Sequence, residues 1–445
     1  MRFEYSLAIF AEAVPPAICK RKIVKNSIAR CLKPAALVLA ACAAALVMTA
    51  CGGGDEAAIA AAPPAPVVPV APVVAGSAIG SLIDASVGGV SYTTSSGVRG
   101  TTAADGSYNF NPGDTVTFTL GGLTLGTTTA TGIISPMDLS AGSAVRLENL
   151  LVLLQSLDSD GDPANGITIP AAAAAAVTSS VNLGSSTATF ATEAGVQATM
   201  TAGGIAGAPK SVAAAGAHFL AQAMPLLTGN IWLSQSVDAT GQTRTSILNI
   251  EATGKYVQVE AGPDEVSGTT TIGFTGVEVG TLTAAGFTPQ GYNFTATMPT
   301  DSNLDWGMSA LLDCGRFRNT GDQLVTSNCT TARGVFSKVP NTATGIVGGW
   351  RTVYQDVDAV VETAIDYYFL ANGTYLVTYY LPGCTVLCKS EAHYGTYTAA
   401  NGDIELQESR DTEPSPGTYT FSADGRQMTL EPRGSKVHTF TRLAR

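Results

Sequence analysis

The C-terminal half of the chain is two copies of one unit, and this repeat limits the fold more than any other feature. Leu227-Thr-Gly229-Asn-Ile-Trp232 answers Val347-Gly348-Gly349-Trp350. Thr253-Gly254-Lys-Tyr256 answers Asn372-Gly373-Thr-Tyr375, and Gly280-Thr-Leu-Thr-Ala-Ala-Gly286 answers Gly395-Thr-Tyr-Thr-Ala-Ala-Asn-Gly402. Phe317-Arg-Asn-Thr-Gly321-Asp-Gln323-Leu324 answers Phe421-Ser-Ala-Asp-Gly425-Arg-Gln427-Met428, and Val335-Phe336-Ser-Lys338 answers Thr439-Phe440-Thr-Arg442, both at an offset of 104. Each unit has roughly 100 to 115 residues, with strand signals about every 8 to 12 residues. In the second copy these fall at Tyr367–Leu370, Thr374–Leu381, His393–Thr398, Asp403–Gln407, Thr418–Ser422, Gln427–Glu431 and Lys436–Leu443. Such spacing predicts an antiparallel barrel or sandwich. About eight strands would close a barrel whose interior holds side chains or one small ligand.

Gly348-Gly349-Trp350 on an opening strand, with Arg442 on the closing strand, resembles the lipocalin pattern. The resemblance implies that Trp350 plugs the barrel base and Arg442 packs over it, a cation–π contact of about 0.5–2 kcal/mol. It also implies a small apolar ligand or lipid in the barrel. The first copy departs from the pattern: Gly229 and Trp232 stand one residue further apart, and Lys338 replaces the arginine. Lysine lacks the planar stacking face, so a looser base is expected there. The alternative is that Trp232, Lys338, Trp350 and Arg442 close barrels that are simply filled.

At the other end, Lys20, Arg21, Lys22, Lys25, Arg30 and Lys33 precede an apolar run, Pro34–Ala50, and small residues lead into Cys51. This is the layout of a secretory signal. Leu46-Val-Met-Thr-Ala-Cys51 resembles the lipobox of bacterial lipoproteins, which implies diacylglyceryl and palmitoyl attachment at Cys51. Each buried CH₂ would contribute roughly 0.8 kcal/mol, and more than one chain makes anchoring stable. Gly52 in place of aspartate implies the outer membrane, on its periplasmic face or at the cell surface. An uncleaved anchor is the alternative, with 17 apolar residues at the lower limit of the roughly 17–25 needed to span. Two acidic residues and two prolines before Lys20 suit a signal poorly, so a start at Val24 is expected.

Residues 51–76 are a Pro/Ala/Val-rich tether, semi-extended by composition. Residues 77–169 alternate strand and turn signals: Thr115-Val116-Thr117-Phe118-Thr119-Leu120 reads as a half-buried strand, and Asp105-Gly106 and Pro112-Gly113-Asp114 as turns. With Asp84, Val90-Ser91-Tyr92 and Ser107-Tyr108, the stretch resembles the prealbumin-like, carboxypeptidase-regulatory-like modules of bacterial surface lipoproteins. That implies a small β-sandwich serving as spacer or adhesion module. An apolar helix over Val145–Leu157 would cap it. Asp158, Asp160, Asp162 and Asn165 follow. Three carboxylates at alternate positions could converge on calcium, which takes six to eight oxygens. Equally they could make a helix stop with Asx turns. Residues 170–225 form an Ala-rich helical connector, with Pro170 at a first-turn position, a second helix over Ser211–Leu227, and loop or short strand over Asn182–Pro209. The barrel repeats occupy residues 226–340 and 344–445.

Of eight cysteines, Cys314, Cys329, Cys384 and Cys388 lie in the repeats. In an exported chain they read as disulfides, with proximity favouring Cys314–Cys329 and Cys384–Cys388; a four-thiolate zinc site is the alternative. Beyond residue 50 the chain holds 17 basic and 33 acidic side chains, a charge of −16, which argues against nucleic-acid partners. The sequence has no GxSxG elbow, no HExxH and no phosphate loop, and its three histidines, His218, His393 and His438, do not repeat between the copies. The expected fold is mainly β: a small β-sandwich, the helical connector and two tandem antiparallel lipocalin-like barrels. The leading functional expectation is a non-enzymatic, membrane-anchored lipoprotein binding an apolar small molecule or lipid. The alternatives are an adhesion or scaffold protein with filled barrels, and a hydrolase built around His393 or His438. Metabolic labelling with an alkyne fatty acid tests the anchor: label is expected on the wild type and absent from Cys51→Ser, and label persisting in the variant would place the lipid elsewhere.

Overall fold

A computed structural model describes residues 75–445 except 179, 238–240, 268–269, 304–306, 309–314, 328–331, 340–344, 356–360, 385–387, 434–435 and 444–445. Cys51, Cys314 and Cys329 lie outside the described residues. Val73–Arg445 is one compact unit.

Its N-terminal part is built from short strands in two main sheets. Ser107–Phe110, Ala78–Leu82 and Ile133–Ile134 form one; Arg99–Thr101, Ser91–Thr94, Thr115–Leu120 and Leu123–Thr129 form the other. Alternation in Thr115–Leu120 sends Val116, Phe118 and Leu120 inward. Tyr108 crosses the gap, meeting Tyr92 at 5.7 Å and Phe118 at 5.3 Å. Helix Ala144–Ser156, capped by Ser143, buries nearly its whole length, including Asn149 and Gln155. The nitrogens of both amides are used: Asn149 donates to the carbonyls of Leu183 and Ser185, and Gln155 donates to the Asp84 carboxyl and the Ala215 carbonyl.

The connector is more helical than its sequence suggests. Thr187–Phe190 and Ala194–Ala202 are helices within the stretch expected to be loop or strand. Burial of Phe190, Val196 and Met200 against the common core supplies what local propensity does not. The expected helix over Ser211–Leu227 is divided into Val212–Ala221 and Ala223–Leu227, and Pro225 lies in the second piece. Pro170 stands just before helix Ala171–Ala176, at its N-cap rather than in its first turn.

Two closed, eight-stranded antiparallel barrels follow. The first runs through Ile231–Val237, Thr243–Ile250, Lys255–Ala261, Gly276–Thr288, Gly291–Asp301, Gly315–Asn319, Gln323–Ser327 and Ala332–Lys338. The second runs through Gly348–Gln355, Glu362–Phe369, Thr374–Tyr380, Ser390–Ala400, Asp403–Glu408, Ser415–Phe421, Gln427–Pro432 and His438–Arg442. Each closes when its last strand pairs with its first, Trp232 opposite Lys338 and Trp350 opposite Arg442. The repeat carries one register correction. Leu324 pairs with Asn319 whereas Met428 pairs with Phe421, so the second copy's hairpin is two residues longer. Phe317 therefore corresponds in space to Tyr419, not to Phe421.

The two barrels share a packed face. Ile247 and Val259 of the first join Tyr368, Leu370 and Leu376 of the second in one apolar cluster, while Val257 and Val277 meet Ala364 and Tyr380 in another. A side chain at Gly349 would collide with Ile231, so glycine permits the close approach. Within this face Arg351 makes a bidentate pair with fully buried Asp366, 2.7 Å on each arm, and also contacts Glu251 of the first barrel. The hydroxyls of Tyr368 and Tyr380 also donate to Asp366. Breaking such a pair leaves a buried charge uncompensated and typically costs about 3–5 kcal/mol. In urea unfolding, Arg351→Met is expected to lose about that much, and adding Asp366→Leu to recover most of it. A single variant within about 1 kcal/mol of wild type would show the pair to be dispensable.

Candidate functional site

Each barrel base holds a buried tryptophan with a cation of the closing strand beside its ring. Trp350 is fully buried, its indole N–H donates to the Ile346 carbonyl at 2.7 Å, and the Arg442 guanidinium lies 4.0 Å from its ring. Arg442 also donates to the carbonyls of Gly425, Val347 and Gly345. It thus stitches the strand ends as well as covering the ring. Trp232 is equally buried and donates to Leu227, but the Lys338 ammonium stands 5.9 Å from its ring. A flexible ammonium cannot copy the fork of carbonyl contacts that a guanidinium makes.

Above the base, the second barrel is filled with rings. Tyr367 stacks on Phe369 at 5.4 Å and meets Phe440 at 5.5 Å; Phe369 meets Tyr397 at 4.9 Å; Phe421 stacks on Trp350 at 5.5 Å. Ile365, Val377, Ile404, Leu406, Met428 and Leu430 occupy the space between. A polar group follows on the same inward positions. His393 Nδ1 bonds Glu408 at 2.7 Å, Glu391 lies 3.6 Å from Nε2, and His438 lies 4.9 Å from the Tyr354 ring.

The first barrel differs in content. Leu248, Ile250, Leu282, Phe294, Phe317 and Phe336 line the part near Trp232. Phe219 of the connector packs on Tyr292 and Phe287 at 5.0 and 5.1 Å. Further along the same strands are Ser246, Gln258, Glu260 and Glu278, with Tyr256 donating to Glu278. Burial pushes the Glu260 carboxyl up to about 7, despite donation from Asn303 and Gln258. A Cβ on Gly307 would stand 2.7 Å from Glu278, so this turn covers the group closely.

The remaining sequence candidates separate. The Asp158–Asn165 loop has the geometry of turns. Asp160 accepts from the Asp162 N–H and the Asn165 amide, Asp162 accepts from the Ala164 N–H, and Asp158 accepts from the Thr168 N–H. Among the described residues no group of three or more His, Cys, Asp or Glu is gathered for a metal ion. Cys384 and Cys388 form a disulfide, with Cα atoms 5.9 Å apart. His218 is half-buried and bonds the Asp84 carbonyl at 2.8 Å.

Two cavities stand out, and both lie outside the barrels. A small one of about 150 Å³ sits at the joint of Asp84, Phe219, Gln222 and Tyr292. A larger groove of about 500 Å³ runs between the outer walls of the two barrels, from Gln235 and Thr245 on one side to Thr374, Tyr394 and Thr396 on the other. Sequence reasoning did not find this groove, because its residues lie on outward positions of strands far apart in the chain.

No protein-family profile matches the chain. No curated protein matches it either. Among solved structures it is weakly similar to the DNA polymerase III beta subunit from Thermotoga maritima, at 11% identity and a TM-score of 0.10, over 51% of this chain and 62% of that one. The match thus spans less than two thirds of that protein, and at this score it carries no argument about fold or activity.

The His393–Glu408 pair has a testable pH signature. The bond to Glu408 raises the imidazole above its ordinary pKa, and the same bond lowers Glu408. A raised imidazole stabilises fully below its unfolded value, roughly 6.5, and that stabilisation fades as pH rises through the folded value. A lowered carboxylate stabilises above roughly 4.3 and fades as pH falls. His438, lowered mainly by burial, has the opposite slope to His393, so a difference profile isolates the pair. The Tm advantage of wild type over His393→Gln is expected to be greatest near pH 5–6 and to shrink towards pH 9. A difference independent of pH would mean that the pair does not ionise as drawn.

Proposed function

We propose that the protein is a non-enzymatic binding protein, held at a bacterial outer membrane by lipid on Cys51, whose barrels are filled scaffolds that recognise a ligand on their outer surface. The observation that carries this reading is the ring-on-ring packing above Trp350. A barrel that carries a ligand needs inward positions left small, and here Tyr367, Phe369, Tyr397 and Phe440 occupy them with aromatic contacts of 4.9–5.5 Å. The histidines support the non-enzymatic part. His218 is held by the Asp84 carbonyl, His393 by Glu408, and His438 packs against Tyr354. The anchor rests on the lipobox resemblance, and the tether of residues 51–76 supports display at a distance from the membrane.

The test is native mass spectrometry of the mature lipidated protein, purified from an exporting host with its disulfides formed. The expected mass is that of chain plus anchor lipid. A further discrete mass, released only on unfolding, would overturn the filled-barrel reading and return the apolar-ligand carrier.

A further inference from the structure

We infer that the groove between the barrels is a binding site for a neutral oligosaccharide. The inference deepens the proposed function and rests on its reading that recognition is external. The groove's volume of about 500 Å³ falls within the range of small-molecule sites, roughly 300–1,000 Å³. Its chemistry is unusual for such a site. Side chains with hydroxyls or carboxamides recur along the lining on both barrels, among them Gln235, Thr245, Asn372, Thr374, Thr396 and Gln407, over a surface that also has apolar area. No Lys, Arg or His is among the described lining residues, while Glu408 and Asp411 add two carboxylates.

That composition selects by exclusion and by match. Phosphates, sulfates and other anions meet no cation among the lining residues and face two carboxylates and the chain's net negative charge. An acyl chain would strip water from amides and hydroxyls without replacing their hydrogen bonds. An extended peptide adds to a free sheet edge, and closed barrels present none. A neutral sugar fits: its hydroxyls both donate and accept, as do those of threonine, while amides offer both roles at fixed positions. Tyr394, half-buried and paired with the buried Leu376 on the adjacent strand, gives an aromatic surface for the C–H face of a pyranose.

Part of the site is held in place before any ligand arrives. Gln407 donates to the Asp411 carbonyl at 2.6 Å and also to Glu408, fixing the turn that carries Asp411. Gln235 donates to buried Thr245 at 3.2 Å. Side chains already ordered lose less freedom on binding.

The experiment is isothermal titration of the intact mature protein with maltotetraose, cellotetraose and chitotetraose, and with a sulfated heparin tetrasaccharide as the charged comparison. At least one neutral tetrasaccharide is expected to bind, with the sulfated one at least tenfold weaker. Thr396→Trp should abolish binding by filling the groove while leaving Tm unchanged, since Thr396 is exposed on its strand. Thr374→Ala, a smaller change, should weaken binding without altering far-UV circular dichroism. No neutral sugar bound, preference for the sulfated sugar, or binding untouched by Thr396→Trp would each overturn the inference. Failure of the filled-barrel reading is separate: it would show as an apolar mass that Thr396→Trp leaves in place.

Discussion

Strands in the middle of this protein are buried on both faces, and much else depends on that. Lys255–Ala261 buries every residue after its first, and Glu362–Phe369 buries six in succession. An isolated barrel would leave one of these faces in water, exposing Ile247, Val259, Tyr368 and Leu376 as a patch. Stacking the barrels removes that patch, and the Arg351–Asp366 pair, reaching Glu251, gives the stack a register that apolar contact alone would not impose. Such a pair is weak as net stabilisation, because desolvation offsets most of the Coulomb attraction. Its role as a register device is our hypothesis, and the paired variants of Arg351 and Asp366 bear on it.

The two copies keep one frame and fill it differently. Tyr256 and Tyr375 follow the same glycine turn, and each faces an inward glycine, Gly280 or Gly395, that leaves room across the strand. Around this shared frame the second barrel is aromatic to its core, while the first holds a buried polar group around Glu260 and Glu278. The bases differ in the same direction. Arg442 makes three carbonyl bonds as well as its ring contact, and Lys338 stands off its tryptophan. A frame that tolerates such different fillings is constrained by closure and stacking more than by any common interior ligand.

The barrels were legible because period-two patterning and a twofold repeat are local signals. Strands were read within a few residues of their positions, and the pairing of Trp350 with Arg442 followed from motif alone. The offset between Phe317 and Tyr419 was hidden by a chance match of Phe317 with Phe421; two extra hairpin residues in the second copy shift that strand relative to the sequence alignment. Helices Thr187–Phe190 and Ala194–Ala202 were missed because Thr, Gly and Val are indifferent helix formers, and tertiary burial decides such segments. The stacking of the barrels did leave a trace. Ile247-Leu248-Asn249-Ile250 and Tyr375-Leu376-Val377 are apolar at both parities, which a strand with one wet face does not need.

The groove follows from the same geometry that hides the apolar faces. Two convex barrels can touch along only part of their walls, and they diverge beyond the contact. Where they diverge, each strand keeps its outward residues but loses its neighbour, so those positions must be polar yet remain close to a second wall. Gln235, Thr245, Thr374 and Thr396 sit at this transition, next to the buried Ala261 and Leu376. Concavity here needs no loop insertion and no emptied core; it is the rim of an interface. A site of this kind can change its lining by outward substitutions that leave both barrel interiors untouched, which separates the evolution of recognition from the requirements of folding.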